Sequence, residues 1–223
     1  MTDILIFTPL LGFVAGFLSG LLGIGGGIII IPSLLYLLPN LAQVNEQNVA
    51  IIAIATSLFT ICITAFSSAR SHLMSAQMWR GKNDVAQSDL PVHHGKLAFG
   101  GIITGGLAAL AGLGGGAILV PYLTTIGVAI RQAIAAAAIA GVLVASFGSI
   151  GYLVAGWQWT DSPQFFGYIH WPTALMIMLV SYFSAPLGVK AGQRLEQAQL
   201  KKVFAIFMLI VAIKLILEVT QVW

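Results

Sequence analysis

Charge is the scarcest commodity in this chain. Of 223 residues, seven are Asp or Glu and ten are Lys or Arg, together 8%, where a soluble globule carries about a quarter. With 58% apolar residues and a mean hydropathy of +0.96, too little polar side chain remains to cover a water-facing surface. This excludes a soluble enzyme, a nucleic-acid binder and a disordered linker, and makes the lipid bilayer the expected solvent and partner. The net charge of +3 lies mostly in polar connections, where membrane topology accounts for it. Cysteine is nearly absent: Cys62 stands alone in an apolar run, so neither a disulfide framework nor a Cys-based metal site is expected. The start, Met1-Thr2-Asp3-Ile4, lacks the basic segment of a cleaved signal peptide. No Walker loop and no paired nucleophile and base are present, so neither ATP hydrolysis, enzyme activity nor a cofactor is expected.

The carboxylates are also absent from particular places. Asp3, Glu46, Asp84, Asp89, Asp161, Glu196 and Glu218 all avoid the middle of a clear span. Cation carriers and proton relays place Asp or Glu within the membrane, so recognition of an anion by backbone and hydroxyl groups is left.

Charge-free runs cover residues 4–45, 47–69, 97–130, 132–160 and 162–189, and a last apolar stretch, 203–223, holds only Lys214 and Glu218. About 20 apolar helical residues cross the hydrocarbon core. Residues 47–69, 132–155, 171–189 and 203–221 each fit one crossing, giving about six hydrophobic segments in all. The first and third runs are too long for one upright helix, and both are broken alike: Gly23-Ile24-Gly25-Gly26-Gly27 then Pro32, and Gly112-Leu113-Gly114-Gly115-Gly116 then Pro121. Each reads as two arms of about 11 residues around a glycine tip, reaching about half the core thickness. Such a re-entrant or discontinuous segment needs protein or a watery cavity around its irregular backbone. The alternative is one long tilted helix whose glycines pack on neighbours.

These elements belong to an internal repeat. Gly12, Gly16, Gly23, Gly25, Gly26, Gly27 and Pro32 match Gly101, Gly105, Gly112, Gly114, Gly115, Gly116 and Pro121 at an offset of 89; downstream, residues 53–57 match 133–137 and Leu73 matches Leu153 at an offset of 80. The halves are residues 1–96 and 97–223, and the first is short. Gln77-Met78-Trp79 resembles the closing Gln221-Val222-Trp223, so two spans are expected to be missing, with a junction near Ser75–Ala76. If the glycine runs are hairpins, every basic residue of the clusters around Arg70 to Lys96, Arg131 and Lys190 to Lys202 falls in the cytoplasm. The two repeats then have inverted topology in an all-α, multi-pass protein of the cytoplasmic membrane.

The doubled Gly-x-Gly-Gly-Gly…Pro element, with residues 16–27 reading GFLSGLLGIGGG, the Ala-x-Ala-Thr-Ser stretch at 53–57, and Gly156, Trp171-Pro172, Gly188 and Arg194, resembles the sulfite exporter TauE/SafE family of anion permeases. The resemblance implies export or uptake of small sulfur-containing anions such as sulfite or sulfonates. Family members have about eight spans in two halves. This chain departs from them by the missing pair, and by Ala136-Ala137 where the first half has Thr56-Ser57.

The glycine tips suit an oxyanion physically. Gly25, Gly26 and Gly27, opening onto a half-helix at Ile28, leave free N–H groups and a positive dipole end near the midplane; Gly114, Gly115 and Gly116 would present the same from the other side. Gly23 and Gly112 complete the set, with Pro32 and Pro121 as structural hinges. Close helix packing explains small residues too. Thr56, Ser57 and, more weakly, Ser19 are candidate hydroxyl donors, unless they bond back to their own helices. Arg131 is a candidate gate or a cytoplasmic anchor. Lys214 with Glu218 reads as an i,i+4 pair near the membrane edge, His170 as an interfacial belt residue beside Trp171, and His93-His94, near Asp84 and Asp89, as solvated loop without a metal site's companion ligands. The reading is a secondary permease for a small anion with alternating access; a non-transporting or truncated subunit and an anion channel are the alternatives, and a homo-oligomer is one option.

Overall fold

The fold follows from a computed structural model that describes residues 2–42, 46–80, 94–158 and 163–221. Helices dominate: α1 (Thr2–Leu22), α2 (Gly27–Ala42), α3 (Glu46–Arg80), α4 (His94–Leu110), α5 (Gly116–Thr125), α6 (Ile130–Ala155), α7 (Trp171–Arg194) and α8 (Gln197–Gln221). Among the described residues, Asn48–Ser75, Ile130–Ala155 and Trp171–Arg194 are long and apolar enough to cross a membrane, while Phe7–Leu22, Gly27–Pro39 and Gly116–Thr125 are shorter apolar helices. The exterior is apolar, with Phe147 and Phe183 74% and 72% exposed, as lipid rather than water requires. One element lies outside the all-α expectation: strands β1 (Phe165–Phe166) and β2 (Ile169–His170) pair antiparallel ahead of α7, turned by Gly167 at φ 57°.

Both glycine runs are helical hairpins, not long tilted helices. α2 turns back along α1, placing Gly26 against the Ala15 carbonyl, and Leu11, Ala15, Ile30 and Leu34 share one buried cluster with Ile52 and Ala53 of α3. The arms are less even than the sequence suggests: α1 has 21 residues and α2 16, against 17 and 10 for α4 and α5. α1 therefore extends well beyond a half-membrane arm. Its length is used along α7. The two helices run parallel, Gly12 against Ile177 and Val180, Gly16 against Ser181 and Ser184, Gly20 against Ala185 and Val189, so closely that a methyl group on any of the three would meet α7. Gly188 and Gly192 return the fit by receiving Phe17 and Leu21. With no hydrophobic effect between helices in lipid, this close van der Waals approach is what small residues contribute.

α3 is the central post. It runs parallel to α7, joined by Thr64 Oγ1 to Ser181 Oγ at 2.7 Å and by Ser67 Oγ donating to the Tyr182 carbonyl at 2.7 Å; each such bond contributes about 0.6 kcal/mol on average in a membrane. It runs antiparallel to α6, with Leu58 against Gly148 and Ala65 against Gly141. At 35 residues, about 50 Å, it outruns the roughly 30 Å hydrocarbon core, and the expected junction at Ser75–Ala76 falls inside this one unbroken helix. α8 closes the bundle through Leu200 and Phe204, buried with Leu22, Ile24, Val120 and Ile134.

Candidate functional site

The two glycine turns have the same backbone. Positive φ recurs at Gly23, Gly25 and Gly26 (70°, 77°, 81°) and at their repeat partners Gly112, Gly114 and Gly115 (66°, 68°, 86°), a conformation costing other L-residues roughly 1–2 kcal/mol. The fourth glycine of each motif has another cause. A Cβ on Gly27 would collide with the Gly112 carbonyl and one on Gly116 with the Gly23 carbonyl. The turns thus meet reciprocally. A Cβ on Gly25 would lie 3.7 Å from the Gly114 Cα, and one on Gly114 3.8 Å from the Gly25 Cα. Gly23 backs onto Ile134 of α6 and Gly112 onto Ile54 of α3, residues that are themselves repeat partners.

Ile61, at the centre of the Asn48–Ser75 stretch, packs against Gly25, Gly27 and Gly114. The contact between the turns is therefore at mid-height of α3. All the motif glycines are buried. Among the described residues, the N–H groups of Gly25, Gly26, Gly114 and Gly115 make no hydrogen bond. Buried backbone donors are seldom left so, and both sets sit at helix N-termini, where the dipole favours negative charge. Pro32 and Pro121 each occupy the sixth position of their helices, which continue through them.

The hydroxyls of Thr56 and Ser57 bond across the structure, not back to their own helix. Ser57 Oγ donates to the Gly112 carbonyl at 3.3 Å, tying α3 to the second turn. Thr56 Oγ1 accepts the His170 N–H at 3.0 Å; Thr56 and Ser57 are fully buried. On the other side, the end of α1 is capped from α3: Ser68 Oγ donates to the Ser19 carbonyl at 3.4 Å, and His72 Nε2 to the Gly20 carbonyl at 3.2 Å. The Ser19 hydroxyl, 1% exposed, has no partner. Arg131 Nη2 donates to the carbonyls of Leu195 at 2.6 Å and Gln193 at 3.4 Å, placing a cation on the C-terminal end of α7, where the dipole wants one.

Two histidines stand where their sequence context does not place them. His170 is not a belt residue. It is 5% exposed, with Nδ1 2.7 Å from Thr173 Oγ1, its ring 5.0 Å from that of Phe165, and Nε2 without a partner. Burial lowers its imidazole from 6.5 to about 4, because an apolar shell penalises the charged form. His72 carries no motif; its role as a cap depends on α1 arriving beside it. His93, Asp84 and Asp89, and the side chains of His94, Lys214 and Glu218, lie outside the described residues. An open groove of about 430 Å³ between α1 and α7, lined by Phe13, Leu179, Val180, Phe183, Ser184 and Leu187, is apolar and includes none of the turn glycines.

Apolar exterior, three long apolar helices and two hairpins meeting at mid-height define a multi-pass α-helical membrane protein. The chain matches the family described as sulfite exporter TauE/SafE over residues 9–82 and 73–215, and it belongs to that family. The matched segments overlap at 73–82, around the expected junction. It is 32% identical over 268 residues to a "Probable membrane transporter protein" of Haemophilus influenzae, covering 98% of this chain and 100% of the relative; roughly fifty of those aligned positions therefore have no counterpart here. A second relative, "Probable membrane transporter protein MJ0441" of Methanocaldococcus jannaschii, is 24% identical over 250 residues, covering 89% of this chain and 91% of its own. "Probable membrane transporter protein YunE" of Bacillus subtilis is 40% identical over 63 residues, 28% of this chain and 23% of its own. No solved structure matches the chain. The protein is a membrane transporter by family.

Proposed function

We propose that the protein is a secondary permease that moves small sulfur-containing anions, such as sulfite or organosulfonates, across the cytoplasmic membrane. The observation carrying this reading is the pair of buried turns meeting at mid-height with unbonded N–H groups at Gly25, Gly26, Gly114 and Gly115. The substrate anion would be held by those groups, with Gly23, Gly27, Gly112 and Gly116 shaping the site, Thr56 and Ser57 flanking it, and Pro32 and Pro121 as hinges. The family's printed description supports the substrate class. Residues 1–96 and 97–223 are read as repeats of inverted topology, a reading supported by the antiparallel run of the repeat partners α3 and α6 and by the reciprocal contacts of the turns. Alternating access then exposes the turns to one side at a time, with Arg131 as the gate on the basic, cytoplasmic side. The test is counterflow of radiolabelled sulfite and methanesulfonate in proteoliposomes. Saturable counterflow, abolished by Gly26→Val and by Gly115→Val in folded protein, supports the permease; its absence in wild type refutes it.

One observation favours a second reading. α1 buries Gly12, Gly16 and Gly20 against α7, whereas a Cβ on Gly101 or Gly106 of α4 would meet nothing within 4 Å. On this reading the roughly fifty positions by which the chain falls short of its Haemophilus relative would be a helix pair of the first half that would cover α4. The chain would then act as a non-transporting subunit or only as a homo-oligomer, and light scattering of the detergent-solubilised protein separates monomer from dimer.

A further inference from the structure

Among the described residues, Ser19 Oγ and His170 Nε2 are buried side-chain atoms without a hydrogen-bond partner; the histidine carries the further consequence. Its position is over-determined. The backbone N–H of His170 is spent on Thr56 Oγ1, Nδ1 on Thr173 Oγ1, and one face lies against Phe165. The ring cannot turn to find a partner for Nε2 without breaking the Thr173 bond. A buried ring nitrogen held still and left unpaired is costly, which is the signature of a group awaiting a ligand. Thr56 adds to this: its oxygen accepts from His170, so its own proton is still available to donate. The next residue along α3, Ser57, bonds the Gly112 carbonyl of the second turn. One helical step of α3 thus joins His170 to the site of the unbonded N–H groups.

We propose that His170 Nε2–H and the Thr56 hydroxyl form an outer subsite for the transported oxyanion, which it occupies before reaching the glycine turns. This rests on the permease reading. The proton is on Nε2 when Thr173 donates to Nδ1, and the imidazole is then a neutral donor. Neutrality suits a transit station: a fixed cation would hold an anion too tightly to release it. Among the described residues, the facing elements bring no competing charge. α3 carries none from Asn48 to Ala69, α7 none before Lys190, and the strands none; Tyr152 and Tyr168 are the titratable neighbours.

The experiment uses the full chain in proteoliposomes with methanesulfonate, which stays anionic across the range tested. His170→Leu removes the donor while keeping the site apolar, and His170→Gln restores an N–H. The inference expects His170→Leu to raise KM at least tenfold with maximal rate changed less than threefold, His170→Gln to recover most of the loss, and Thr56→Val to act in the same direction. Nitrogen-15 NMR of histidine-labelled protein should show the His170 Nε2 resonance moving on addition of methanesulfonate. Saturable wild-type transport with KM unchanged in His170→Leu, or an Nε2 resonance that does not respond, overturns the subsite and leaves the permease standing. Wild-type protein that neither binds nor transports the anion overturns both.

Discussion

The interlocked turns separate two reasons for glycine, and three alanine substitutions can tell them apart. Gly116 has ordinary helical φ, but its added Cβ would strike the Gly23 carbonyl and lie 2.6 Å from the Ile24 Cα. The obstacle is backbone, so the turns must part; overpacking of this kind costs about 1–3 kcal/mol. Gly115 is the converse. Its Cβ would have room, with Val144 at 3.8 Å, but φ is 86°, a strain of about 1–2 kcal/mol for alanine. Gly101, inside α4, has neither constraint, and alanine there should gain about 0.5–1 kcal/mol. At about 2–4 °C per kcal/mol for a chain of this size, Gly116→Ala should lower Tm by about 2–12 °C, Gly115→Ala by about 2–8 °C, and Gly101→Ala should hold or raise it. Cys62 is the one thiol in the chain and is partly buried beside Ser149. A dye that fluoresces on reacting with it therefore reports unfolding without added labels. Gly115→Asn should recover part of the Gly115→Ala loss, because asparagine tolerates positive φ, whereas Gly116→Asn should be worse than Gly116→Ala. A Gly116→Ala protein melting at the wild-type temperature, or a Gly101→Ala protein destabilised as much, would refute the interlocked geometry.

Further outcomes follow from single contacts. Ser57→Ala removes the bond to Gly112 and should cost about 0.6 kcal/mol, a fall in Tm of a degree or two by the same dye assay. Arg131→Gln loses a charged donor to Leu195 and Gln193, worth about 1.5–3 kcal/mol, and should lower Tm by about 3–12 °C; Arg131→Lys should recover only part of it, as a lysine lacks the guanidinium fork. His170 has its folded pKa depressed from 6.5 to about 4. Between these values the unfolded chain binds the proton and the folded one does not, so stability is lost as pH falls from 6.5 to about 4. The Tm of the wild type should drop over that window by more than that of His170→Gln, as differential scanning calorimetry can measure; equal slopes would mean the ring is not held neutral. Cysteines introduced at Gln158 and Arg194 in a Cys62→Ala background should react with impermeant maleimide from opposite sides, since α7 separates them.

Much of the architecture was legible from residues alone because bilayer constraints are one-dimensional. Run lengths identified the three helices long and apolar enough to cross a membrane, Asn48–Ser75, Ile130–Ala155 and Trp171–Arg194, and the breaks at Gly23–Gly27 and Gly112–Gly116 marked the hairpins, since irregular backbone at depth needs a special cause. Residues that act through sequence-distant partners were not legible. His170, next to a tryptophan, looked interfacial; a short strand pair and the α3 hydroxyl at Thr56 draw it inside. His72 had no motif, and its carbonyl partner on α1 is 52 residues away. Nor did the sequence reveal the uneven arms, because the length of α1 answers to α7, more than 150 residues later.

By itself, then, the sequence determined the apolar solvent, the largely helical architecture, the repeated spacing of glycines and the two glycine breaks, because each depends on local composition, spacing or backbone sterics. The tertiary structure decided that the two turns meet, which carbonyl each fourth glycine accommodates, and which buried polar atoms are left unpaired. Those outcomes depend on what stands opposite each residue, and no period in the chain records that.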